Sequence, residues 1–351
     1  MPNKKHFKES QKSTRLVVAV SLILFSLALM IFVGEIFCYF YFTKKSIYAI
    51  NTELGWYPKS KFSYRKQHFD IARSPYEVEA TTDERGFREW GDPATSKLKI
   101  MFIGDSFTGN LDVSDEDAYY GQVKKLMDAE VFAVGAAGYG TLQEYLILKK
   151  YVSTIKPDYF ILQFCSNDFV NNNIYLEGRS VVRNQKNLRP YLDEGKIVYR
   201  LSDIHWYRLL NGYSGFFRFL DQAFQMLQVK AYGDYYPAPT DEEKITIHQE
   251  KIKAVQTTKR LLEMMVDVLP SGTGALTFTC STNDEATEPW IQSAKSAGFT
   301  PLPEVSLAVE KAEKGGETVR ASDGSHWGPK GHHIAGKALV GIIEKLEEKN
   351  S

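Results

Sequence analysis

Three short stretches, far apart in the chain, carry side chains that can cooperate in one reaction. They are Gly104-Asp105-Ser106-Phe107, Ser166-Asn167-Asp168 and Asp323-Gly324-Ser325-His326. A serine hydroxyl is a weak nucleophile until an adjacent base takes its proton. An imidazole titrates near neutral pH and suits that task, which pairs His326 with Ser106. Asp323, on the same tight turn as His326, can hold the other ring nitrogen and fix the tautomer. Acyl transfer also needs donors aimed at the developing oxyanion. The candidates are the Ser106 N–H, the Gly138 N–H in the loop Gly135-Ala136-Ala137-Gly138-Tyr139-Gly140-Thr141, and the Asn167 side-chain amide.

The elements that must position these groups alternate as in α/β proteins. The apolar run Ile100-Met101-Phe102-Ile103 predicts a buried strand over 99–104 that ends at Gly104. Ser106 then sits on a strand-to-helix turn at the carboxyl edge of a sheet, where open α/β folds place their ligands. A helix is expected over 118–128 and a second strand over 131–134, which breaks into the Gly138 loop. A helix over 142–155 and a third strand over 159–164 follow, and that strand leads into Asn167. Beyond residue 240 the pattern gives a helix over 242–268, a strand over 275–280 and a helix over 288–297. A short strand or loop about 301–308 and a closing helix over 334–348 complete it. Strands joined by helices require right-handed crossovers, so they should lie parallel in one sheet.

The chain has 351 residues, with 43 Lys and Arg against 43 Asp and Glu, which removes any general electrostatic case for nucleic-acid binding. Residues 1–15 are basic, and Leu16 to Gly34 carry no charge. Glu35 interrupts before Ile36 to Phe42 restores apolar character. We read 1–15 as a cytoplasmic tail and 16–42 as a transmembrane anchor in a bacterial inner membrane. No small-residue cleavage site follows, so the anchor is read as uncleaved. The rest of the chain then lies outside the cytoplasm. Residues 43–98 read as a stalk and a leader packing on the catalytic domain, 99–351. Arg85 and Arg88 in that leader either dock turns or meet an anionic substrate. Residues 171–240 break the α/β rhythm and read as an insertion or lid over the active edge. It holds a hairpin around Asp193-Glu194-Gly195, and its aromatic stretch Trp206 to Val229 is expected to pack in a core or lid rather than to form a sugar-stacking surface or a second membrane contact.

Cys165 and Cys280 each end a strand-like run and are either two buried thiols or a disulfide. Asp323, His326, His332 and His333 have the chemistry of metal ligands. However, His332 and His333 are adjacent at a helix start and cannot both face one point. Neither a metal nor a cofactor is expected. Asn283-Asp284 repeats the Asn167-Asp168 pattern but reads as a turn cap, as do Asp105 and Asp168.

Taken in order, the Gly-Asp-Ser block at 104–106, the Gly138 loop, Asn167 and the Asp323/His326 pair resemble the SGNH/GDSL hydrolase family over about residues 99–345. The resemblance implies a three-layer α/β/α flavodoxin-like domain. It further implies Ser106 as nucleophile, His326 as base and Asp323 as its orienting acid, with Gly138 and Asn167 completing the oxyanion hole. The chain departs from the family in carrying Cys165 where glycine is common, and Thr108 in the first block. The expected function is a membrane-anchored extracytoplasmic serine esterase or O-acyltransferase. Its substrate would be acyl, chiefly acetyl, esters of a cell-envelope or exported glycan, cleaved through an acyl-enzyme. Hydrolysis or transfer turns on water reaching the acyl-enzyme, which residues 171–240 should control. The rival reading is a catalytically silent anchored module of the same fold that binds glycan or an envelope assembly partner.

Overall fold

The computed structural model describes residues 4–43, 46–109, 111–180, 188–200, 206, 210, 213–232 and 238–350. The chain opens with α1 (Lys4–Cys38), followed by a short π-helical turn, Tyr39–Thr43. Within it, Thr14–Tyr41 contains an 18-residue window of mean hydropathy 3.0, so this helix is long and apolar enough to cross a membrane. Two antiparallel hairpins follow, β1 (Tyr48–Asn51) with β2 (Gly55–Pro58) and β3 (Ser63–Phe69) with β4 (Pro75–Thr81). Next come β5 (Glu89–Trp90), β6 (Leu98–Gly104), α2 (Ser106–Gly109), α3 (Tyr119–Leu126), β7 (Ala129–Gly135), α4 (Thr141–Ile155) and β8 (Tyr159–Phe164). Short helices α5 (Asn167–Asn171) and α6 (Ile174–Gly178) lead to the hairpin β9 (Pro190–Asp193) and β10 (Lys196–Tyr199). The chain closes with α7 (Gly215–Tyr232), α8 (Asp241–Val268), β11 (Gly274–Thr279), α9 (Thr287–Ala297), β12 (Thr300–Pro301), α10 (Pro303–Lys314) and α11 (Pro329–Asn350).

One six-stranded sheet organises the domain, in the order β12-β11-β8-β6-β7-β5. All neighbours pair parallel except β5, which runs antiparallel on the edge of β7. Numbering only the parallel strands gives the flavodoxin order 2-1-3-4-5, whose direction of winding reverses between β6 and β8. The strands are buried on both faces, as parallel strands must be when helices cover each side. Ile100 and Phe102 face one core with Tyr119, Val305 and Leu339. Met101 and Ile103 face the other with Leu148, Leu262 and Ala294. The result is three layers, as expected.

Three local expectations are corrected. Residues 303–314 form a full helix, where a short strand or loop was expected. Pro303 stands in its first turn, where a missing N–H costs nothing, and Val305 and Val309 are buried one turn apart. The last helix starts at Pro329 for the same reason, so His332 and His333 lie within it. Within the aromatic stretch expected to pack in a core or lid, Phe224 on α7 is not covered, at 60% exposed.

The leader is built into the fold. Trp90 pairs with Phe132, and Phe87 is buried between Trp90 and Tyr151. Arg88 is buried, and its Nε–H donates to Asp115 Oδ1 at 2.6 Å. Arg85 lies over the Trp90 ring. Both arginines hold the leader in place.

Candidate active site

Ser106 follows β6 directly and opens α2 at the carboxyl edge of the sheet, beside the point where the winding reverses. The turn is tight because Gly104 has no side chain. A Cβ there would lie 2.3 Å from Thr108 Oγ1 and 2.5 Å from Gln163 Oε1. That space is used by hydrogen bonds: Gln163 Oε1 accepts from the Asp105 N–H at 3.1 Å and the Thr108 hydroxyl at 3.0 Å. Asp105 caps α2, accepting the Phe107 N–H at 3.0 Å. Burial pushes the Asp105 carboxyl up, against hydrogen bonds from Phe107, Gln163 and Asn167. Thr108, a departure from the family pattern, therefore braces the nucleophile turn.

His326 arrives from the far end of the chain. The next residue, Trp327, is buried edge-on to Phe107 and stacked with Phe278, and this fixes the turn that presents the imidazole. His326 Nε2 lies 2.8 Å from Ser106 Oγ across 220 residues of sequence. On its other side, Nδ1 lies 2.5 Å from Asp323 Oδ2. Asp323 Oδ1 also accepts the backbone N–H of Ser325 and His326, at 2.9 and 3.0 Å. Partial burial pulls the Asp323 carboxyl up, but these hydrogen bonds and the nearby imidazole outweigh it and hold the group below its ordinary value. An ionised Asp323 accepts a hydrogen bond from Nδ1–H and leaves the Nε2 lone pair facing the serine hydroxyl.

The oxyanion candidates converge on the same cleft. Ser106, Gly138, Asn167 and His326 all line one cavity of about 490 Å³, with Trp56, Phe107, Arg189, Ser281, Ser325 and Arg320 among its other walls. Gly138 adopts φ +73°, a left-handed conformation that favours glycine. Among the described residues, neither the Ser106 nor the Gly138 backbone N–H has a hydrogen-bond partner, so both are open to a ligand. Cys165 and Cys280 form a disulfide, with Cα atoms 5.4 Å apart. They stand just beyond the paired residues Phe164 and Thr279 of neighbouring strands. The bond lies in the cleft wall, directly before Ser166-Asn167.

Four participants lay outside the sequence reading. Trp56 and Tyr48 from the leader hold the Gly138 loop: the Trp56 Nε1–H donates to Ala137 O at 3.2 Å, and the Ala137 N–H donates to Tyr48 Oη at 2.8 Å. Arg189 is buried against the Trp56 ring and donates to Gln143 Oε1 at 2.6 Å, an oxygen that also accepts the Gly140 N–H. Asp112 completes the set: one of its oxygens, one from Asp323 and a ring nitrogen of His326 lie within 4.8 Å of one another. No local pattern marks any of these four. Behind the loop, Glu144 and Asp168 are fully buried. Among the described residues, both Glu144 oxygens and Asp168 Oδ1 lack a hydrogen-bond partner. Burial, then the neighbouring acids, holds both carboxyls well above the usual carboxylate range.

The remaining candidates sit elsewhere. His332 is buried against Tyr119, whose N–H donates to its Nδ1 at 3.2 Å, and burial pushes its pKa down to about 3. His333 meets Gln122 Oε1 at 2.9 Å. Asp284 caps the turn before α9 by accepting the Ala286 N–H at 3.0 Å.

The model of the GDSL-like lipase/acylhydrolase family matches residues 100–339. Among solved structures, the chain is similar to a lipase/acylhydrolase from Enterococcus faecalis, at 16% identity and a TM-score of 0.40, covering 71% of this chain and 96% of that one. It is also similar to a lipolytic G-D-S-L protein from Veillonella parvula, at 11% identity and a TM-score of 0.40, covering 71% and 99%. An acetyl xylan esterase from Butyrivibrio proteoclasticus is similar at 16% identity and a TM-score of 0.37, covering 73% and 65%. Nothing among curated proteins matches the chain.

Proposed function

The chain belongs to the GDSL-like lipase/acylhydrolase family, a family of serine ester hydrolases, and from that premise we propose that it is a membrane-anchored, extracytoplasmic esterase removing short acyl groups, chiefly acetyl, from a cell-envelope or exported glycan. The observation that carries the reading is the unbroken line Asp323 Oδ2, His326, Ser106 Oγ, with spacings of 2.5 and 2.8 Å.

Ser106 Oγ attacks the ester carbonyl carbon as its proton passes to His326 Nε2. The carbonyl oxygen takes the negative charge and is met by the N–H groups of Ser106 and Gly138 and by the Asn167 amide. Collapse of this intermediate breaks the ester C–O bond, and the imidazolium returns its proton to the departing alkoxide. A water then repeats the sequence on the acyl-enzyme and releases the acid. The His326 side chain is 26% exposed, which favours access of water and hence hydrolysis over transfer to a sugar hydroxyl.

The walls of the cleft support the substrate class. Serines, an asparagine and two arginines line the cleft beside the nucleophile, together with Trp56, Phe107 and the disulfide. Such walls suit a small acyl group on a hydroxyl-rich carrier. The basic flank before the apolar helix favours a cytoplasmic N-terminus. A disulfide in the cleft wall fits an oxidising compartment.

The test uses the full chain in detergent. A fluorophosphonate probe should label it, and labelling should vanish in Ser106→Ala. Acetate should then be released from an O-acetylated polysaccharide in preference to long-chain esters. A folded protein that takes no label supports the silent module instead. Acetyl groups appearing on an added sugar, rather than as free acetate, would make it a transferase.

A further inference from the structure

Helix α7 turns the wrong face outward for a protein surface in water. Leu220, Phe224 and Leu227 recur at helical spacing, Met226 flanks them, and these four side chains are 49% to 65% exposed. On the other side of the helix Gln225 is buried and donates to Asp221 Oδ2 at 2.8 Å, while Gln222 is exposed. A surface helix ordinarily places its apolar stripe on the core and its polar residues in solvent. The reverse is stable only where the surroundings are apolar.

What surrounds it is indicated by the start of the helix. Glu35, the single carboxylate within the apolar stretch Thr14–Tyr41, accepts the Gly215 N–H at 2.8 Å and the Phe216 N–H at 3.3 Å. The Ser214 hydroxyl also donates to it. An acid inside a membrane span needs such partners, and the helix N-terminus needs acceptors for its open N–H groups. Each satisfies the other. Phe216 packs so closely on Gly34 that a Cβ there would lie 2.7 Å from its ring. The exposed stripe is thus continuous with the surface of the apolar helix itself, and Tyr213, 85% exposed, stands just before the junction.

We propose that α7 is an interfacial helix: its outward face of Leu220, Phe224, Met226 and Leu227 lies in the outer leaflet of the lipid bilayer that α1 crosses. The inference rests on the membrane-anchor reading. An amphipathic helix of this kind sinks its apolar face to the depth of the headgroup boundary. Because α7 is fixed to α1 through Glu35, it gives the catalytic domain a second contact with the membrane.

The experiment is spin-label accessibility on the full chain in vesicles of phosphatidylethanolamine and phosphatidylglycerol. In a Cys38→Ala background with the disulfide intact, single labels are placed through Leu220→Cys, Phe224→Cys, Leu227→Cys, Gln222→Cys and Leu24→Cys. Fluorophosphonate labelling of Ser106 confirms that each variant is folded. The expected result is a severalfold higher ratio of oxygen to nickel-chelate collisions at 220, 224 and 227 than at 222, approaching that at 24. Nickel access at those three positions, with position 24 still oxygen-rich, overturns the proposal and leaves the anchor reading standing. Exclusion of both reagents also overturns it, because the face is then covered by protein, a second copy or another partner. Nickel access at position 24 removes the anchor reading and this inference together.

Discussion

The indole Nε1–H of Trp56 donates to the carbonyl oxygen of Ala137 at 3.2 Å, across 81 residues of sequence. On the other side of the same residue, the Ala137 N–H donates to Tyr48 Oη at 2.8 Å. Two further bonds tie the β1–β2 hairpin to this region: Tyr139 Oη donates to Trp56 O, and Gln143 Nε2 donates to Leu54 O, each at 2.6 Å. The leader therefore sets the backbone just before Gly138, the proposed oxyanion donor.

Trp56→Phe keeps an aromatic ring and removes one of those bonds. If the bond aims the Gly138 N–H, kcat should fall by up to about 10²-fold, the worth of one oxyanion donor. KM and Tm should change little. Steady-state kinetics beside a thermal melt separates the cases: an unchanged kcat would mean that the hairpin only stabilises the fold.

Asn167→Ala tests the side-chain donor. A loss on the order of 10² in kcat is expected for a group that meets the oxyanion. A loss confined to KM would instead make Asn167 a substrate-positioning residue.

The acid side of the kcat/KM profile should fall as the base becomes protonated. Asp323 is held below the usual carboxylate value and is ionised where carboxylates ordinarily titrate, so one proton on the base accounts for the loss. Asp112 adds a second carboxylate within 4.8 Å of the imidazole. A nearby negative charge favours imidazolium, and Asp112→Asn should therefore move the acid limb to lower pH. A limb that does not move would exclude Asp112 from tuning the base.

Glu144 gives a stability test with a definite sign. Its carboxyl is held well above the ordinary range by burial and then by Asp168 and Asp105. Below about pH 4 the folded and unfolded chains both carry the proton, and the group contributes nothing. As pH rises the unfolded chain releases the proton first, so stability falls until the folded group also ionises. Glu144→Gln removes this slope. Its Tm relative to the natural chain should be higher at pH 8 than at pH 5. The opposite trend would mean that Glu144 is folded as a carboxylate paired with Arg189.

The Cys165–Cys280 bond closes a loop of 115 residues. The chain-entropy description assigns roughly 4–5 kcal/mol to a loop of that length. Denaturant melts with and without reductant should show a loss of this order, with thiol alkylation confirming reduction. No change in midpoint on reduction would remove the bond from the stability of the domain.

How much of this was legible in the sequence depends on the range of the interaction. The apolar run at 100–103, the glycine that ends it and the helices between strands are set by neighbours a few positions apart, and local periodicity reports them directly. Ser106, Gly138, Asn167, Asp323 and His326 were legible as candidates because each stands in a turn whose composition is itself unusual. That the strands lie parallel in one sheet followed from the helices that join them, whereas their order is read only from the fold.

Tertiary structure alone decided the rest, because the contacts involved have no local signature. Trp56 and Tyr48 look like any aromatic residues of a short hairpin until packing brings them to Ala137. Asp112 is an ordinary loop acid until the Asp323 turn folds beside it. Two cysteines at strand ends can be thiols or a disulfide, and only their adjacent, in-register strands bring the Cα atoms to 5.4 Å. The stripe on α7 is visible as a period in the sequence, but a period does not say which face turns outward. That was fixed by Glu35, whose carboxylate reaches across 180 residues to hold the first turn of the helix.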